Sequence, residues 1–116
     1  MQVHMLKAKI HMARVTECIL EYNGSLGIDK DLMDAAGIRP YEKILISNME
    51  NGERLETYAI ESPAGSGTIC LNGAAAHKGN LGDRIIIFTF CTMDEAEADR
   101  HTPTVIIPDE NNRVRD

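Results

Sequence analysis

The serine at position 25 directly follows a glycine in the run Glu21-Tyr22-Asn23-Gly24-Ser25. A hydroxyl there can attack the preceding carbonyl and shift the acyl group from nitrogen to oxygen. β-Elimination would then cut the chain and leave a ketone capping the new N-terminus. Glycine on the acyl side helps, because it lacks a Cβ and tolerates backbone conformations barred to other residues. The same residues also fit a plain hairpin, since Asn-Gly between strand-like runs is the strongest short-range turn signal. The dipeptide alone does not separate the two readings.

Other combinations carry weaker signals. His4, His11, His77 and His101 are scattered with no i, i+4 pair, so no metal site is assigned. No G-x-S-x-G surrounds Ser25, which argues against a Ser-His-Asp triad drawn with His11. Asp94, Glu95, Glu97 and Asp99 read as a solvated helix face. Lys7, Lys9, Arg14 and Arg54 read first as surface charge.

These side chains must be positioned by short elements. Residues 2–22 alternate like two strands, with Leu6, Ala8 and Ile10 on one parity and Lys7, Lys9 and His11 on the other. Ile28 to Gly37 reads as a helix capped by Asp29 or Asp31 and stopped by Gly37. Strands are expected at Glu42 to Met49 and Arg54 to Ile60, joined by a hairpin at Asn51-Gly52. Thr68 to Leu71 is a short strand, and Arg84 to Met93, the most apolar run, a central one. Asp94 to Arg100 is expected as an acidic helix and Thr104 to Ile107 as a last extended piece, with a polar, frayed tail from Asp109 to Asp116. Many short strands with little helix predict a mainly β protein, a small barrel or sandwich.

With 116 residues the chain is expected to form one domain with a small core, of the kind often reinforced by oligomerisation. A net charge of −6 argues against binding a nucleic-acid backbone. The five aromatics, Tyr22, Tyr41, Tyr58, Phe88 and Phe90, are too few for a base-stacking surface. Cys18, Cys70 and Cys91 are odd in number and widely spaced, which fits buried free thiols in a reducing compartment. No apolar run approaches the roughly 20 residues of a membrane span and no signal peptide is visible, so a soluble cytoplasmic protein is expected.

Several motifs in register carry a resemblance. Met5-Leu6, Lys9, His11, Val15-Thr16 and Tyr22-x-Gly24-Ser25 with Ile28-Asp29 resemble the start of the pyruvoyl-dependent L-aspartate α-decarboxylase family. Asp34-Ala35-Ala36-Gly37-Ile38, Asn51-Gly52-x-Arg54 with Thr57-Tyr58-Ala59-Ile60, Asn72-Gly73-Ala74-Ala75-Ala76, and Gly82-Asp83 with Ile85-Ile86-Ile87 resemble its later segments. The match spans about residues 1–107; Glu17-Cys18-Ile19 departs from the family pattern, and the tail matches nothing in it.

The resemblance implies a six-stranded double-psi β-barrel with short helices, assembled as a homotetramer with active sites between subunits. It implies self-cleavage at Gly24-Ser25 of the single 1–116 domain into residues 1–24 and a chain from 25 capped by a covalent pyruvoyl group derived from Ser25. That ketone would form a Schiff base with L-aspartate and draw off the electrons left by CO2, yielding β-alanine for pantothenate and coenzyme A. Tyr58 is implied as proton donor, Thr57 as the group assisting cleavage, and Lys9, Arg54, Thr57, Asn72, Gly73, Ala74 and Ala75 as substrate-binding, with His11 and Tyr22 in support. The opposite parity of Thr57 and Tyr58 is a difficulty that a twist or a subunit seam would resolve. A helper protein for maturation is a further conceivable partner. The rival readings are a non-enzymatic β-barrel binding or oligomeric module, and a pyruvoyl decarboxylase of other specificity, such as glutamate.

Overall fold

The computed structural model describes residues 1–115. The chain is mainly β. In order it runs β1 (Gln2–Arg14), β2 (Glu17–Ile19), β3 (Ser25–Asp29), α1 (Lys30–Ala36), β4 (Lys43–Asn48), β5 (Arg54–Ser62), β6 (Ile69–Asn72), a 3-10 helix (Gly73–Lys78), β7 (Arg84–Asp94), α2 (Glu95–Arg100) and β8 (Thr104–Ile106). The described strands join in the order β2-β6-β3-β5-β4-β7-β1-β8. Six longer strands supply the expected small barrel, and β2 and β8, three residues each, extend its two ends.

Local chemistry accounts for most of these elements. Asn51-Gly52 turns β4 back onto β5, with Gly52 at φ 74. Asp29 caps α1 by accepting from the Asp31 amide at 2.8 Å, and Gly37 ends it in the left-handed conformation. The Ile85-Ile86-Ile87 run makes β7 central, between β4 and β1. Ile10, Leu26, Ile28, Leu32, Ile44, Ile46, Ile69, Leu71, Ile85 and Ile87 fill the core. Each such side chain contributes about 1.5–3 kcal/mol relative to exposure.

Three expectations are corrected. Asn23-Gly24 does not close a hairpin: β2 and β3 are separated by β6, parallel to β2 and antiparallel to β3. The five residues of β3 are all buried and both its edges are taken, by β5 and β6, so none remains for β2. The tail is not frayed at Asn112, which is 2% exposed. Its side chain accepts from the Arg14 amide and donates to the carbonyls of Arg14 and Gly67, each at 2.8 Å. Asp116 lies outside the described residues. All three thiols are free, but only Cys70 is buried; Cys18 and Cys91 are partly exposed. Among the described residues no helix is long and apolar enough to cross a membrane.

Candidate active site

β3 opens on Ser25, whose cross-strand partner in β6 is Asn72. Both are buried, Ser25 to 1% exposure. Asn72 Nδ2 donates to Ser25 Oγ at 3.1 Å, and Ser25 Oγ donates to the Asn23 carbonyl at 3.3 Å. On its other side Asn72 Oδ1 accepts from Cys70 Sγ at 3.1 Å. Burial pushes the Cys70 thiol up to about 11, with the Glu17 carboxylate adding to the shift, so it stays protonated at neutral pH. The hydroxyl beside the candidate scissile bond is thus held by a short buried chain of side chains.

The steric demand falls on Gly73 rather than Gly24. A Cβ on Gly73, at φ 63, would lie 2.7 Å from the Tyr22 carbonyl oxygen and 2.8 Å from the Gly24 nitrogen. A Cβ on Gly24 would meet nothing within 4 Å. The start of the 3-10 helix therefore packs backbone against backbone on the segment leading to Ser25. In that helix Ala74 is exposed and Ala75 buried.

Ser25 and Tyr58 line one cavity of about 450 Å³, together with Tyr22, Asn23, Pro40, Tyr41, Ile60 and Glu61. Tyr41 was not among the expected site residues. It sits at φ 70, is 77% exposed, and its ring centroid lies 6.4 Å from that of Tyr58. Its position in a connecting loop leaves no periodic signal to find it by. Cys70 did leave one, since residues two apart on a strand share a face.

Lys9 and Arg54 lie elsewhere on the same chain. Lys9, Phe88, Leu45 and Glu56 form one cross-strand row, with Ile86, Ser47 and Arg54 in a neighbouring row. Tyr58 pairs with Lys43 on this same outer face, whereas Thr57 pairs with the buried Ile44 on the inner one. The parity difficulty therefore stands within a single chain. Lys9 Nζ lies 5.9 Å over the Phe88 ring, and Phe88 stacks near Phe90, which is 51% exposed. His11 is half-buried, and its Nδ1 has no hydrogen-bond partner. Among the described residues no cluster of three or more His, Cys, Asp or Glu is placed to hold a metal ion.

The profile of the family described as aspartate decarboxylase matches residues 1–115. The chain is 59% identical over 113 residues to a protein named aspartate 1-decarboxylase from Syntrophobacter fumaroxidans, covering 97% of this chain and 91% of that one. It is 54% identical to the protein of that name from Clostridium kluyveri, covering 98% and 90% of the two chains. It is 52% identical to the one from Desulfotalea psychrophila, covering 97% and 94%. The chain belongs to the aspartate decarboxylase family.

Proposed function

We propose that this chain is a cytoplasmic aspartate 1-decarboxylase. It cuts itself between Gly24 and Ser25, then removes the α-carboxylate of L-aspartate to give β-alanine and CO2. The observation that carries the reading is the buried Ser25 hydroxyl, bonded to Asn72 and opening on the cavity that Tyr58 lines. A pyruvoyl group fits position 25: sheet pairing pins the backbone from Ser25 onward, while Gly24 on the other side of the cut is exposed.

Once formed, the pyruvoyl carbonyl supplies the electron sink that no protein side chain provides. The Tyr58 phenol faces the same cavity and donates the proton that the α-carbon takes up. Arg54 offers a bidentate fork to the side-chain carboxylate of the substrate. Pairing it instead with the departing carboxylate would stabilise the ground state and oppose CO2 loss. Lys9 adds positive charge, and Asn72 with the backbone of Gly73, Ala74 and Ala75 supplies donors beside small side chains. Thr57 donates to the Gly24 carbonyl as it becomes an oxyanion. Tyr22 lines the cavity, and His11 is assigned a supporting role.

The same reading assigns a homotetramer with sites at subunit seams. Lys9 on β1 and the Tyr58 strand β5 are three strand spacings apart in one chain, about 14 Å. A Lys9 from a second copy, laid across the seam, removes that gap. It also moves the Thr57 and Tyr58 parity difficulty to a place where two chains contribute.

Intact-mass measurement tests the cut. Incubated protein is expected to yield residues 1–24 and a capped chain from 25, while Ser25→Ala stays at 12.8 kDa. A wild-type chain that remains whole after prolonged warming overturns the reading. CO2 release from aspartate should greatly exceed that from glutamate; equal rates overturn the substrate.

A further inference from the structure

We infer that Cys70 is a positioning residue for self-cleavage: its thiol fixes the Asn72 amide so that Nδ2, not Oδ1, faces the Ser25 oxygen. The inference rests on the cleavage proposed above and names a residue that reading does not use. Its basis is a row of three buried side chains, Cys70 Sγ to Asn72 Oδ1 at 3.1 Å and Asn72 Nδ2 to Ser25 Oγ at 3.1 Å. An asparagine amide presents a donor or an acceptor depending on how it is turned. A thiol that donates to one end leaves only the NH2 end for Ser25. The cross-strand partner of Cys70 is Gly27, which has no side chain to push the thiol aside.

The direction of that amide matters to the chemistry. Ser25 Oγ adds to the Gly24 carbonyl carbon, the C–N bond breaks, and the hydroxyl proton ends on the new amine, leaving an ester. Loss of the Ser25 α-proton then breaks the Cβ–Oγ bond, and the Gly24 carboxylate leaves with the electron pair. Water converts the remaining dehydroalanine to the ketone and ammonia. Negative charge grows on Oγ as the Cβ–Oγ bond breaks, and the Asn72 N–H is already aimed at that atom. A turned amide would put a carbonyl oxygen there and oppose the step.

The test follows cleavage by intact mass in wild type, Cys70→Ala and Cys70→Ser, with thermal melting measured alongside. Cys70→Ala should slow cleavage about three- to tenfold, the range of one hydrogen bond. Hydroxylamine, which opens esters, should cut a larger share of its chains than of wild type. Cys70→Ser keeps a donor and should restore both readouts. Equal cleavage in all three proteins, or equal slowing in both variants, overturns the inference while leaving the cleavage reading intact. A wild-type chain that stays whole overturns both.

Discussion

Gly73 sets how closely the Tyr22–Gly24 segment approaches the 3-10 helix. Its φ of 63 and the 2.7 Å that a Cβ would have to the Tyr22 carbonyl leave no room for alanine. Gly73→Ala, made in a Ser25→Ala background so that both chains stay uncut, should lose about 1–3 kcal/mol. Urea denaturation measures this, and an unchanged midpoint overturns the steric account. Glycine at 24 and 73 was legible in the motifs around each, but which of the two bears the contact was not. That depends on segments 50 residues apart meeting backbone to backbone. Asn72 and Ser25 were legible as motif members, whereas Cys70 was read only as a buried free thiol. Tyr41 was not legible as a site residue, because its place over Tyr58 arises from a loop whose path depends on the Tyr41 amide bonding to the Ala59 carbonyl at 2.7 Å.

At the scale of elements, periodicity located both α-helices and every strand but β3, whose Ile28 and Asp29 read as the start of the following helix. The order of the strands was not legible, because pairing of distant segments leaves no local trace. The Asn23-Gly24 hairpin failed for that reason: β6, arriving more than 40 residues later, lies between β2 and β3. The tail failed for another. A polar run reads as solvated, yet Asn112 satisfies backbone groups at the end of β1 and in the loop at Gly67. Its neighbour Arg113 stands 3.9 Å from the buried Asp29 carboxylate that caps α1. Asn112→Ala would leave the Arg14 amide and two carbonyls without partners, and should lower stability by about 1–3 kcal/mol. Chemical denaturation reads this loss; a shift under about 0.5 kcal/mol returns the tail to a passive role.

At the scale of the whole molecule, the outer face of β1, β7, β4 and β5 carries Phe88, Phe90 and Leu45 alongside Lys9, Lys43 and Arg54. Exposed aromatic surface of this kind, rimmed by charge, suits the association face that the proposed homotetramer needs. Phe90→Asp should weaken the proposed assembly, and light scattering should then give a lower mass than wild type at equal concentration. An unchanged mass removes Phe90 from the interface. The face was only half legible: alternation showed its basic residues, but Phe88 and Phe90 looked like members of a central apolar strand with no preferred side.

The order of strands also bears on the life of the proposed cut. β1 pairs with β7 from Gln2 opposite Asp94 to Arg14 opposite Arg84, and with β8 on its other edge. Ser25 in turn is held by Asn72, a contact that only the folded chain makes. After the proposed severance the first 24 residues stay embedded by noncovalent contacts, strand pairing together with the buried Ala8, Ile10, Ala13 and Val15. Folding is then a single-molecule event that happens once. Any later denaturation parts two strangers, and recovery becomes a bimolecular encounter that fades on dilution.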